Sequence, residues 1–353
     1  MKNRSRTTAL ALSVTAVAAA AGVGLAVLPG DGDDGDDGAS SVRESAGHGS
    51  AHGHAAHGAD DAAPAGGLGT LSGSDVSSAG ATFFAGSLNG ANEVPVAGGP
   101  AVGDKDGKAL ALMRIKGTKV SFAFSFRGIA TPTAAHIHQG VRGKNGDIKI
   151  PFFAKKAEGG RTTVTGKVTV KDQQLLNTLR TDPNGFYFNL HTGEFPGGAV
   201  RGQVHKLATK ANMHRMLSSS RYGVIKGSQV YACTKQDDGK FALTQNNVRA
   251  RLEGRIAHFF AKPGPAGPPA WVASDGSAVT GKLLSKIPNG TKNIPELDLA
   301  AKQAGKHSGK FSRTTEILRL NTERGVAPSG TCDPKKQRKV AVPYRADYVF
   351  INR

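Results

Sequence analysis

Apolar and polar side chains alternate along KVSFAFSFRG. Val120, Phe122, Phe124 and Phe126 fall on one side, and Ser121, Ala123 and Ser125 on the other. A period of two marks a strand with one buried face. Similar short runs stand at TFFAGSL, ALALMRI, AAHIHQG, DIKIPFF, TTVTGKVTV, GFYFNLHT and AVRGQV, with Gly, Pro and Asn between them. One stretch, KDQQLLNTLRTDPNG, breaks this rhythm. Asp172 suits an N-cap there, Leu175, Leu176 and Leu179 form an apolar stripe, and Asp182-Pro183 with Asn184-Gly185 ends it, which predicts a short helix. Many short strands between turn residues predict an antiparallel Greek-key-like sandwich carrying that one helix.

A second β domain follows. SQVYAC, KFALTQ, VRARLE, RIAHFF and VAVPYRADYVFI read as strands, and WVASDGSAVTGKLL as a hairpin turning at Asp275-Gly276. IPELDLAAKQAG reads as a short helix or an irregular segment, and Lys206–Ser220 as a linker with some helical character. The expected class is therefore all-β with two domains, the second the smaller-stranded. Its expected parts are a leader at 1–29, a tether at 30–82, a sandwich at 83–206, a linker at 207–227 and a basic β domain at 228–353.

The leader combines Lys2, Arg4 and Arg6 with a long Ala, Leu and Val run closed by Pro29-Gly30, the pattern of an export signal. The run approaches the ~20 residues that span a bilayer, so an uncleaved membrane anchor is the alternative. Export to the cell envelope or beyond is the expected destination. In that setting the two cysteines, Cys233 and Cys332, read as one disulfide, two separate thiols being the alternative.

Between leader and sandwich, GDGDDGDDG and GHGSAHGHAAHG hold too few large apolar side chains to offset the entropy of ordering them. The Asp-rich half is no EF-hand, because Val42 stands where the terminal Glu belongs. His48, His52, His54 and His57 are weaker candidate metal ligands.

The formal net charge is +19. From Leu207 onward 25 Lys and Arg stand against 10 Asp and Glu, so the excess lies in the second domain. Such a balance suits an anionic envelope polymer as partner. The cations are scattered except at PKKQRK, and no aromatic platforms are interleaved with them, so no specific nucleic-acid signal emerges.

The candidate chemistry lies in the sandwich. On a strand, residues i and i+2 share a face, so His136 and His138 of AAHIHQG stand side by side. In YFNLHTG, the set Phe186, Phe188 and Leu190 is apolar enough for the core, which puts His191 with Tyr187 and Asn189 on the other face. If the two strands pair, three imidazoles converge, and three histidines without a thiolate suit copper or zinc. His205 and Glu194 are weaker candidates as spare ligands or supporting partners. The structural alternative is that these histidines bond backbone groups and steady loops. No G-x-S-x-G, H-E-x-x-H or P-loop occurs, and no carboxylate pair suggests hydrolysis, so no catalytic residue is assigned.

FFAGSLNGANEVPV, GKALALMRI, AAHIHQGVRGKNGDI and GFYFNLHTGEFPGGAVRGQV carry a resemblance to the CHRD (chordin) domain of exported bacterial proteins, over 83–206. The resemblance implies a β-sandwich, similar in general style to copper/zinc superoxide dismutase with its own His-x-His strand. A dismutase-like copper enzyme is therefore an alternative. Arg142 and Lys144 follow the histidines, but the bridging histidine and zinc-site aspartate have no visible counterpart. VYACTKQDDGKFAL, AHFF, GPPAWVASDGSAVTG, APSGTCD and VPYRADYVF resemble an uncharacterised family of exported bacterial and fungal proteins. The leading expectation is a non-enzymatic extracellular or envelope-associated binding protein with a histidine metal site. The alternative is a polyanion- or wall-binding module acting through the basic domain.

Overall fold

The computed structural model describes residues 66–208 and 210–353. The leader, the histidine-rich tract with His48, His52, His54 and His57, and the first part of the tether lie outside the described residues.

The first domain runs through β1 (Gly66–Leu68), β2 (Thr82–Asn89), β3 (Lys108–Lys116), β4 (Lys119–Arg127), β5 (Ala134–Gln139), β6 (Ile148–Phe153) and β7 (Thr163–Thr169). Then come the helix α1 (Gln173–Thr181) and the strands β8 (Phe186–His191), β9 (Val200–Gln203) and β10 (His205–Lys206). The strands are ordered β1-β7-β4-β3-β2-β9-β8-β5-β6, with β10 also pairing β2, and the sheet curls until its end strands β1 and β6 meet. Helix α1 begins as expected: the Asp172 side chain accepts from the Leu175 N–H.

Alternation divides each strand between two destinations. From β4, Val120, Phe122, Phe124 and Phe126 enter the sandwich core with Phe84, Leu88, Phe152, Phe186, Phe188 and Leu190. The opposite faces of β2 and β3 present Phe83, Ala85, Leu110 and Leu112 outward, where they join a second apolar cluster.

That second cluster is shared with the other domain. Leu318, Leu320, Val349 and Ile351 complete it, together with Leu207, Ala211, Met213 and Met216. The stretch read as a linker is therefore built in: its short helix α2 (Met213–Met216) plugs the gap between the domains, and β11 already starts at Ser220. The tether reading also ends earlier than expected, because Gly66–Leu68 pairs antiparallel with β7.

The second domain is a closed barrel of eight strands: β11 (Ser220–Lys235), β12 (Phe241–Leu252), β13 (Ile256–Phe260), β14 (Pro269–Val272), β15 (Ala278–Ile287), β16 (Glu296–Gln303), β17 (Thr314–Arg324) and β18 (Lys339–Asn352). Closure removes the exposed edges of a sheet. The segment read as helical or irregular forms β16. Cys233 and Cys332 are joined in a disulfide.

In RIAHFF, His258 reads from the sequence as a strand residue at a sheet edge, and the structure differs. His258 is buried in the barrel, stacked on Trp271 with ring centroids 4.3 Å apart, and Nδ1 lies 2.9 Å from the Ala270 carbonyl. Burial pushes its imidazole down to about 3. A folded value below the unfolded one gives stability that is present above about pH 6.5 and lost as pH falls toward 3. Thermal midpoints measured between pH 7 and pH 4 should drop in the native chain and drop less in His258→Phe, which keeps the ring stack. Equal slopes in both would rule the histidine out as a cause.

Candidate metal centre

The three histidines are positioned by one strand pair. In the antiparallel register of β5 with β8, Ala134 faces His191, His136 faces Asn189 and His138 faces Tyr187. Directly opposed residues of such a pair share a face, so His136, His138, Tyr187, Asn189 and His191 project together while Phe188 and Leu190 enter the core. One potential ligand atom from each histidine lies within 4.8 Å of the others. His136 Nδ1 and His191 Nε2 are 3.0 Å apart. Tetrahedral zinc with zinc–imidazole bonds of ~2.0–2.1 Å sets its nitrogens about 3.3–3.4 Å apart, so the widest of these separations would close by about 1.4 Å on binding.

Backbone carbonyls assign the tautomers. His138 Nδ1 lies 2.9 Å from the Gly146 carbonyl, and His191 Nδ1 lies 2.9 Å from the Pro196 carbonyl. A carbonyl only accepts, so each Nδ1 carries its hydrogen and each Nε2 keeps a lone pair. This is how protein-bound metals have their histidines held: one nitrogen faces the ion, the other donates to a fixed acceptor. The Gly146 carbonyl is held in place by a close backbone approach. A Cβ on that glycine would stand 1.6 Å from the Gln139 carbonyl oxygen.

A stack supports His138 from the side. Its ring lies parallel to Tyr187 at 4.8 Å, and the Arg201 guanidinium covers the other side of the phenol at 3.4 Å. Arg201 is buried and donates to Asn145 Oδ1 and to the carbonyls of Lys144 and Val141. Burial pushes the Tyr187 hydroxyl up, against the pull of Arg201. Beside this stack, burial raises the Glu93 carboxyl to about 8, Arg201 opposing.

The weaker candidates His205 and Glu194 do not join the group of His136, His138 and His191. His205 is buried where the two domains meet, with Nε2 3.5 Å from Glu296 Oε2, and burial pushes its imidazole below the ordinary range. Glu194 is exposed. Arg142 is engaged by Glu296 and Asn321 of the barrel. Among the described residues, His136, His138 and His191 form the one group suited to a metal ion. Sequence reasoning missed the surroundings: Glu93, Arg201 and the carbonyls of Gly146 and Pro196 carry no periodic signal, and only pairing brings them in.

Fold and site thus define a two-domain all-β protein with an imidazole cluster on one sheet face of its first domain. The family model for the CHRD domain matches residues 84–204, which contain all three histidines. Residues 245–352 match a family described as a protein of unknown function (DUF3455). No curated protein and no solved structure matches the chain.

Proposed function

We propose that this is an exported, non-enzymatic binding protein whose CHRD-type sandwich holds one copper or zinc ion on His136, His138 and His191. The observation that carries the reading is the paired orientation of His138 and His191. Each donates one nitrogen to a backbone carbonyl and turns the other toward its neighbours. A purely loop-steadying histidine needs one such bond, and it has no reason to gather two further imidazoles on the same face. The donor chemistry suits the ions named, since neutral imidazoles without thiolate or paired carboxylates favour copper and zinc over calcium or magnesium.

The disulfide and the CHRD match support an extracellular setting, because disulfides persist in oxidising compartments.

The test uses the full chain with His48, His52, His54 and His57 changed to Ser, so that the N-terminal tract contributes nothing. Calorimetric titration with copper(II) and with zinc should give one ion per chain for at least one metal. His138→Gln or His191→Gln should weaken it by roughly a hundredfold or more, since each removes a direct ligand and supporting partners alone are worth 10–100-fold. Absence of stoichiometric uptake of either metal would end the reading.

A further inference from the structure

Where sandwich and barrel meet, each arginine is answered by a carboxylate: Arg127 by Glu253, Arg142 by Glu296 and Arg221 by Asp347. The outer wall of the barrel is different. In the antiparallel register, Lys226 of β11 stands directly opposite Arg251 of β12, and Arg249 stands opposite Phe259 of β13. These are outward positions, because the alternate residues Val248, Ala250, Leu252, Ile256 and Phe260 belong to the barrel core. Pairing carries the Phe259 row on through Ala270 and Thr280 to Lys302 of β16. The neighbouring row, from Arg251, runs through Ala257 to Val272. Lys226, Arg249, Arg251 and Lys302 are all exposed, and none forms an ion pair among the described residues. No Asp or Glu occupies a position in either row.

Like charges set directly opposite on paired strands are destabilising. Lys226 against Arg251 carries that cost with no carboxylate to offset it, and an anion from outside would relieve it. Phe259 adds an apolar element. It is 38% exposed and is the one aromatic residue of the two rows, with the small Ala257, Ala270 and Val272 beside it. A phenyl ring on so low a floor accepts the C–H face of a sugar, while arginines take planar carboxylates in paired hydrogen bonds. We infer that this wall binds an acidic polysaccharide, with sugar rings on Phe259 and carboxylates on Arg249, Arg251 and Lys226. Adjacent strands lie about 4.8 Å apart, so the strip from β12 to β16 is about 19 Å wide, room for more than one sugar unit. A nucleic-acid strand calls for aromatic platforms in series and a bilayer for several large apolar side chains, and these rows offer one phenyl. The site is separate from the three histidines and needs no metal.

The test titrates the full chain calorimetrically with polygalacturonate oligomers at low and at physiological salt, with neutral dextran as the reference. The native protein should bind polygalacturonate, bind it more weakly as salt rises, and leave dextran unbound. Arg249→Gln/Arg251→Gln should weaken binding about tenfold and flatten its salt dependence. Phe259→Ser should weaken it roughly fivefold at both salts and leave the salt dependence as it was. Lys335→Gln/Lys336→Gln removes the same charge from PKKQRK, outside these rows, and should stay within about twofold of native. Circular dichroism confirms that each variant is folded. Absence of polygalacturonate binding at low salt would overturn the inference, as would equal binding of dextran. An equal loss in Lys335→Gln/Lys336→Gln would overturn it by reducing the effect to net charge. Tighter binding to duplex DNA or to phosphatidylserine vesicles through the same residues would overturn it by giving the wall a different partner.

Discussion

Asp347→Ala should lower the unfolding free energy by about 3 kcal/mol, the lower end of the cost of breaking a buried ion pair, because Arg221 keeps a second carboxylate, Glu253 at 3.4 Å. Asp347 lies in β18 and bonds the Arg221 guanidinium of β11, whose side chain is 6% exposed. Its other oxygen accepts from Ser87 Oγ of β2 at 2.8 Å and from Asn321 Nδ2 of β17 at 2.8 Å. Burial alone would raise this carboxyl, but Arg221, Asn321 and Ser87 outweigh it and hold the group below its ordinary value of 3.8. A depressed folded value means that this stabilisation is present above about pH 3.8 and fades as pH falls through the lower folded value. Urea denaturation at pH 7 measures the loss. The double variant Arg221→Met/Asp347→Leu should recover most of it, since apolar replacements of both partners leave no buried charge. A single-variant loss under about 1 kcal/mol would show that water reaches Arg221 and that the pair is not sealed between the domains.

The disulfide should matter about as much. Cys233 and Cys332 are separated by 99 residues, and a closed loop of that length contributes ~4–5 kcal/mol in the chain-entropy account. The backbone around the bridge is already fastened. The Cys233 N–H donates to the Arg338 carbonyl, and the Cys332 N–H to the Phe241 carbonyl. The native state therefore loses little on substitution, and the effect falls on the unfolded chain. Cys233→Ala/Cys332→Ala should shift the guanidinium midpoint downward and steepen the dependence on denaturant, because an uncrosslinked chain exposes more surface. An unchanged midpoint would mean that the barrel closes as firmly without the bridge.

How far the sequence revealed this molecule depends on which physical signal each segment carried. Strands with one face in an apolar core announced themselves through alternation, as in β4 and β8. The histidine face was legible for the same reason: once Phe186, Phe188 and Leu190 are assigned inward, His191 must turn outward beside Tyr187 and Asn189. Strand β16 was not legible. Glu, Leu, Ala, Lys and Gln dominate Glu296–Gln303, and all favour helix, but pairing with β15 and β17 overrides that preference. His258 was misplaced because an edge was assumed, and a closed barrel has none. The stretch from Leu207 to Met216 shows scattered apolar residues without a period. Their role appears only against Leu318 and Ile351, more than a hundred positions away. Glu93 was the harder case still, a loop carboxylate whose surroundings are assembled entirely by distant chain.

The apolar cluster between sandwich and barrel bears on how such a chain can change over time. Phe83 and Leu112 are covered by Leu318 and Val349, so each half serves as the other's missing wall. Neither half can be exchanged for an unrelated module, or set free by trimming, without a greasy surface being remade on the half that stays. Separation would leave an apolar face uncovered on both halves at once.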